Sequence, residues 1–302
     1  MRQVPKRCMQ LLHPRLQKSS LLQKALTPLG FEPQPERWIF IIGCYNSGTT
    51  LLNEILASHP DIEGLPHEGV VLTDVLPRPE EEGWTRMWHK CHDEMRIRPS
   101  EGPERARRIK RQWSLYYASK ADNLLEKSIA NAVRIPYLQK YFRPAYFIYI
   151  VRDGYAVAEG IRRKANPGRW DNPKYQGEYP IDLCARQWRR SDDVVSAARS
   201  RAERFLHLRY EELTENPVQV VGQITEFLGL PSLPEDVLRG KWNINGYNEP
   251  IRNMNDRSLS RLSSGEMDRI ESEAADTLRK YGYSGSGPLA CGRNRRLWRL
   301  RA

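Results

Sequence analysis

Apolar residues fall into runs whose spacing separates strands from helices. Residues 38–42, Trp-Ile-Phe-Ile-Ile, form an unbroken apolar run that ends at Gly43. The segment Gly43-Cys44-Tyr45-Asn46-Ser47-Gly48-Thr49-Thr50 follows, and then Leu51, Leu52, Ile55 and Leu56 recur at helical spacing. The pattern predicts strand, glycine-bounded loop, helix. A second run, residues 146–151, is apolar and aromatic throughout, as in a strand buried on both faces, and Gly154 opens a helix after it. A third lies at residues 205–209. Downstream, Asn216-Pro217 precedes Val218, Val221, Ile224, Phe227 and Leu228, with Gly229 and Pro231 as stop signals. Residues 104–120 and 182–201 are predicted helices, and Trp188, Val194 and Val195 are expected to pack. Buried strands with helices between them predict the α/β class with a parallel central sheet. No internal repeat or low-complexity tract interrupts the pattern.

The chain has 302 residues, enough for a full core, and a formal charge of +11. The expected division is a basic N-terminal extension (residues 1–35), one domain (36–285) and a basic C-terminal tail (286–302). Arg2, Lys6, Arg7, Arg15, Lys18 and Lys24 lie at the start, and Arg293, Arg295, Arg296, Arg299 and Arg301 at the finish. Basic ends suit nucleic acid, an anionic membrane or an acidic acceptor, or are simply solvated. The absence of an aromatic-interleaved basic strand or a DNA-reading module argues against nucleic acid. Residues 9–29 carry leucines at helical spacing among basic residues. This suits a helix lying on a membrane surface and is too polar for a span or a secretory signal. Cys8, Cys44, Cys91, Cys184 and Cys291 show no metal spacing and read as reduced thiols. The expected location is therefore cytoplasmic, with peripheral contact at the inner membrane as an option. His89, Cys91 and His92 invite a metal reading, but no second ligand cluster accompanies them, which favours loop or partial core.

The candidate chemistry gathers where strands end. A strand–loop–helix turn aims backbone N–H groups and the positive helix end at one point, which makes residues 43–50 an anion site. The loop nearly matches the P-loop G-x-x-x-x-G-K-[ST], but Thr49 stands at the lysine position. The lysine that reaches the β/γ-phosphates of a nucleoside triphosphate is thus missing, which points to another phosphate-bearing ligand. Arg152-Asp153 closes the 146–151 run, where ligands of open α/β sheets collect, and an arginine there can form paired bonds to a phosphate.

The loop Ser47-Gly48-Thr49-Thr50-Leu51-Leu52, with Ser58-His59-Pro60 one helix later, resembles the sulfotransferases that use 3′-phosphoadenosine 5′-phosphosulfate (PAPS). The likeness is greatest to the bacterial branch, which is related to the protein-tyrosine sulfotransferases. Leu125-Glu126-Lys127-Ser128-Ile129-Ala130-Asn131 resembles the Glu-Lys-Ser/Thr-x-x-Asn stretch of these proteins, and the strand–RYEEL–NP–helix–FLGLP pattern of residues 205–231 also recurs among them. The resemblance covers roughly residues 37–283. It implies a three-layer α/β/α, P-loop NTPase-like sulfotransferase fold and transfer of the PAPS sulfuryl group to a hydroxyl of an acceptor such as a glycan, lipid, tyrosine or small metabolite. It implies no metal. Asn46, Ser47, Gly48, Thr49 and Thr50 would meet the 5′-phosphosulfate, Arg152 the 3′-phosphate, Tyr210 the adenine, and Arg252, in a closing loop at residues 251–262, the 3′-phosphate again. Lys127 would steady the charge that moves onto the leaving phosphate. Glu68, in Gly64-Leu65-Pro66-His67-Glu68-Gly69, is the matching base for the acceptor proton, with His67 second.

Two positions depart from the family pattern. Asn46 stands where relatives carry lysine or arginine, and Gly160 where they carry serine. Lys127 or one of Arg162, Arg163 and Lys164 could supply the missing cation. The rival readings are a P-loop kinase or nucleotide hydrolase, for which Asp153 is the one candidate carboxylate for Mg²⁺, and an inactive nucleotide-binding scaffold. The acceptor pocket is expected in the loops at residues 65–100 and 165–180.

Overall fold

The computed structural model describes residues 19–117, 121–244 and 246–283. Five strands, β1 (Arg37–Gly43), β2 (Glu63–Gly64), β3 (Asn123–Lys127), β4 (Ala145–Val151) and β5 (Phe205–Arg209), form one parallel sheet in the order β2-β3-β1-β4-β5. The three runs read from the sequence are β1, β4 and β5. β1 is central because its side chains are apolar on both faces. Trp38, Phe40 and Ile42 pack into the aromatic core with Phe147, Val157 and Trp188, while Ile39 and Ile41 pack into the opposite core with Ile55, Ile148 and Ile224. A strand apolar on every side chain needs a layer on each face.

Helices supply both layers. On one face lie α1 (Thr49–Ala57) and, after β5, Pro217–Leu228; on the other lie α2 (Gly154–Ala165) and α3 (Ile181–Ala198). The fold is therefore three-layer α/β/α with a parallel central sheet. Beyond Pro217–Leu228 the chain makes a two-stranded antiparallel hairpin, β6 (Lys241–Ile244) and β7 (Tyr247–Pro250), and then α4 (Asn255–Leu259) and the long α5 (Ser264–Tyr281).

Two expectations change. The helix expected at 104–120 is Pro103–Ser114. It ends because the chain turns at Leu115 and Tyr116, bringing the Tyr117 hydroxyl to donate to the Leu125 carbonyl of β3 at 2.9 Å. Within the stretch expected as an N-terminal extension, Ser20–Leu26 is a helix docked on the domain. Its Gln23 is buried and donates to the Val71 carbonyl, and Gln112 donates back to the Gln23 carbonyl. The rest of the membrane-surface candidate, residues 9–18, lies outside the described residues, as do Cys8, Cys291 and the C-terminal tail. No helix among the described residues is long and apolar enough to cross a membrane.

Candidate active site

The register of the sheet assembles the site. Ile41 of β1 pairs with Lys127 at the end of β3, and Gly43 pairs with Ile150 near the end of β4. Lys127 and Arg152 therefore flank the 43–50 loop at the carboxyl edge of the sheet. The chain leaves β1 toward one side of the sheet and β4 toward the other, so this edge is the topological switch point.

The loop is concave because two of its residues have left-handed backbone. Asn46 has φ 60° and Gly48 φ 90°. Asparagine tolerates that region, and at Gly48 a Cβ would meet the Tyr210 ring at 2.5 Å. Gly48 is also the N-cap of α1, so the loop amides and the helix start point into one hollow. Ser47 Oγ is buried with no hydrogen-bond partner. Thr49 turns its methyl onto Gly43, where a Cβ would lie 2.7 Å from Thr49 Cγ2.

Arg152 is held from three sides. Its Nη1 donates to the Asn46 carbonyl at 2.8 Å, its Nε donates to Asn255 Oδ1 at 2.8 Å, and its guanidinium lies 4.4 Å from the Tyr210 ring centroid. Its Nη2 is buried without a partner. Asn255 is oriented in turn by Glu211, whose carboxylate also accepts from the Asp153 amide and from the Tyr283 hydroxyl. Tyr210 is only 4 % exposed. Its hydroxyl donates to the Arg252 carbonyl and accepts from the Met254 amide, so it secures the closing segment and leaves little ring for an adenine. Arg252 lines the cleft, half exposed, and pairs with Glu249. Asp153, the one Mg²⁺ candidate, caps α2 by accepting from the amides of Tyr155 and Ala156, and burial raises its pKa to about 6.

Opposite stands an ion pair. Lys127 Nζ donates to Glu68 Oε1 at 2.8 Å, with the side chains 13 % and 35 % exposed. The loop that carries Glu68 is pinned to β3. The Gly69 amide donates to Glu126, the Val70 amide to Ser128 Oγ, and Trp113 Nε1 to the Gly69 carbonyl. Glu126 is fully buried, and burial raises its pKa to about 7. His67, the second candidate base, is exposed and does not line the cleft. Its pKa is nevertheless lowered, by partial desolvation of the ring and then by the Lys127 charge.

The loop, Arg152, Lys127 and Glu68 open into one cleft of about 1080 Å³. Ten arginine and lysine side chains line it against three glutamates, an excess suited to a polyanion. The lining includes Glu68 to Arg86 on one wall and Ala165 to Trp170 on another, inside the two loops expected to form an acceptor pocket. Arg78, Glu80, Arg86, Arg169 and Trp242 also border it, and no local pattern in the sequence singles them out. Asn255 and Glu211, which orient Arg152, were likewise not legible: each is an ordinary polar residue until the fold brings residues 152, 211 and 255 together.

The two family departures meet in space. A Cβ at Gly160 would lie 2.9 Å from Asn46 Cγ and 3.0 Å from its Cβ, so the Asn46 side chain fills the space above Gly160. Asn46 Nδ2 is buried without a partner. Of the proposed compensating cations, Arg162 pairs with Glu266 and Arg163 with Glu159; Lys164 makes no ion pair or hydrogen bond among the described residues. His89 Nδ1 bonds Gln187, with its pKa pushed down by burial to about 4, and Cys91 is buried with its thiol pushed up to about 12. Among the described residues no group of three or more metal-ligating side chains is present.

A P-loop-like turn without its lysine, at the switch point of a 2-3-1-4-5 parallel sheet and facing an ion pair, defines a P-loop-type α/β/α protein. The profile of the family described as "Sulfotransferase family" matches residues 38–235, and the chain belongs to that family. Protein-tyrosine sulfotransferase 1 of Danio rerio is 27% identical over 201 residues, 64% of this chain and 53% of that protein, so the chain spans about half the length of this curated relative. The fold is shared with the sulfotransferase domain of the Synechococcus PCC 7002 olefin synthase, at TM-score 0.53 and 21% identity over 84% of this chain and 98% of that one. It is shared also with the sulfotransferase domain of the curacin biosynthetic pathway, at TM-score 0.51 and 20% identity over 80% and 98%.

Proposed function

We propose that this chain transfers a sulfuryl group from PAPS to an acceptor hydroxyl, with Glu68 as base and Lys127 as the cation at the leaving oxygen. The observation that carries the reading is that the Lys127–Glu68 pair opens into the same cleft as the 43–50 loop and Arg152. The unpartnered Ser47 Oγ and Arg152 Nη2 fit a ligand with phosphates on the 3′ and 5′ positions of one ribose. When bound, PAPS supplies the sulfuryl group: its S–O bond to the 5′-phosphate breaks as an S–O bond to the acceptor forms, leaving 3′,5′-adenosine bisphosphate.

The chain's own residues would divide the work. The amides of Ser47 to Thr50, the Thr49 and Thr50 hydroxyls and the start of α1 hold the 5′ end. Arg152 holds the 3′-phosphate through the guanidinium edge that Asn46 and Asn255 leave open. Glu68 takes the acceptor proton. Lys127 orients that carboxylate in the resting site and faces the oxygen on which charge develops, where a cation lowers the barrier most. Glu126 is a positioning residue, since it fixes the peptide adjoining Glu68. The kinase reading loses its one carboxylate to the helix cap at Asp153. A tyrosine acceptor, as the zebrafish relative's name suggests, is one option among hydroxyl compounds.

Calorimetry with 3′,5′-adenosine bisphosphate, 5′-AMP and ATP tests the donor half. The bisphosphate should bind tightest. Arg152→Ala should weaken it by about 1.5–3 kcal/mol while barely changing 5′-AMP. Equal losses on both ligands would remove Arg152 from the 3′-phosphate, and preference for ATP would restore the kinase reading. Transfer of radiolabelled sulfate from PAPS separates an enzyme from a scaffold.

A further inference from the structure

We propose that Arg86 and Lys164 form an anion subsite on the acceptor side of the cleft, so that the acceptor is a hydroxyl compound carrying a carboxylate or phosphate group close to that hydroxyl. The inference rests on the sulfuryl-transfer reading and deepens it by naming the class of acceptor.

Half of the ten cations lining the cleft are ion-paired. Arg78 pairs with Glu81, Lys127 with Glu68, Arg252 with Glu249, and Arg163 and Arg261 with Glu159. Arg152 is committed to the donor. Arg86, Lys164, Arg169 and Arg257 have no carboxylate partner among the described residues, and of these Arg86 is the one whose charge is felt most at Lys164. Their places put them on the acceptor side. Arg86 comes from the loop that follows Glu68, and its guanidinium lies 5.7 Å from the ring centroid of Tyr45, a residue close enough to Glu68 to feel its charge. Lys164 lies one helical turn beyond Gly160, on the α2 face that meets Asn46.

Holding this pair together costs stability. Arg86 adopts a left-handed backbone, φ 58°, which a side chain of its size rarely takes. Lys164 is exposed as a residue, yet desolvation of its ammonium in the cleft and then the charges of Arg86, Arg163 and Arg152 lower its pKa to about 8. Two cations that repel each other in one cleft lose that repulsion when an anion arrives between them. A guanidinium and an ammonium suit a carboxylate or a phosphate, and a neutral acceptor would leave their repulsion in place.

The test uses three phenols that differ in one substituent: 4-hydroxyphenylacetate, 4-hydroxyphenyl phosphate and the neutral 4-hydroxyphenylacetamide. Their affinities are measured by calorimetry at pH 7 on the full chain saturated with 3′,5′-adenosine bisphosphate. At least one anionic phenol should bind roughly tenfold to a hundredfold tighter than the amide, the stronger of the two identifying carboxylate or phosphate as the preferred group. Lys164→Met and Arg86→Gln should each remove most of that preference, and Lys164→Arg should keep it. Affinity for the bisphosphate should stay at the wild-type value in all three variants, which also shows that they fold. Equal affinity for the three phenols in the wild type, or a preference that survives both Lys164→Met and Arg86→Gln, overturns the subsite while leaving sulfuryl transfer standing. Loss of bisphosphate affinity in both variants overturns it by assigning the pair to the donor. Failure of the wild type to bind the bisphosphate overturns the sulfuryl-transfer reading, and the subsite with it.

Discussion

Asn46 shows how one residue can change meaning between sequence and structure. Read along the chain, it is a lost cation, and Gly160 is a separate lost hydroxyl. In the fold they are one event, because the Asn46 side chain occupies the space that a Cβ at position 160 would need. Gly160→Ser alone should therefore destabilise the protein by about 1–3 kcal/mol, through the overpacking it forces. Asn46→Gly, which suits φ 60° and empties the contact, should relieve much of that cost. Thermal denaturation of the two single variants and the double variant gives the coupling, and strict additivity would dissociate the positions. Glu68 carries a simpler expectation. Glu68→Gln keeps the shape and cannot accept a proton, so turnover should fall roughly 10²–10⁴-fold with little change in bisphosphate affinity. Wild-type turnover in that variant would redirect attention to His67.

At the scale of elements, the site depends on bracing that short motifs do not contain. Strand β4 delivers Arg152, but α3 fixes the strand's end. Trp188 Nε1 donates to the Arg152 carbonyl at 3.0 Å, and its ring lies against Gly154, where a Cβ would approach to 2.7 Å. The tryptophan reads from the sequence as a core residue, and it is one; its packing also sets the position of Arg152. Gly154→Ala should cost about 1–3 kcal/mol of stability and weaken 3′,5′-adenosine bisphosphate more than 5′-AMP, because the strain falls on Arg152. Calorimetry on the folded variant checks this, and equal weakening of both nucleotides would contradict it. The strands β1, β4 and β5 were legible because a strand buried on both faces needs an unbroken apolar run. The two-residue β2 and the β6–β7 hairpin were not, since their pairing, not their composition, defines them. The helix expected to reach residue 120 stops at Ser114 because β3 needs Tyr117 nearby.

Over the whole molecule, the cleft draws charge from segments far apart in the chain: Arg86, Lys127, Arg152, Lys164 and Arg252 share one space. Lys164 gives that convergence a pH signature. The groups facing it are Arg86 from the loop after Glu68, Arg152 from β4, and Arg163 and Glu159 from its own helix. Its folded pKa, about 8, lies below the ordinary lysine value of 10.5, so the charged form is disfavoured by folding. The sign is therefore that stability from this group is lost as pH falls through 8. At pH 7, Lys164→Met should raise the melting temperature while reducing preference for an anionic acceptor. That preference should also fade in the wild type above pH 8 and persist in Lys164→Arg. A melting temperature lowered by Lys164→Met would show that the lysine is stabilised in the folded protein.

By itself the sequence determined what local chemistry can specify. Apolar periodicity marked the main strands, Gly48 and the threonines marked a tight loop between strand and helix, and Arg152, Lys127 and Glu68 stood at the positions where a strand or helix gives way to a loop. These features are readable because their physical causes, hydrogen-bonding geometry, side-chain period and backbone freedom, act within a few residues. Tertiary structure decided what depends on convergence: the Lys127–Glu68 bond across 59 residues, the Arg152–Asn255 bond across 103, and the fit of Asn46 over Gly160. Such contacts leave no mark at fixed spacing, because the parallel register and the crossovers that create them place residues by position in space, whatever the length of chain between them.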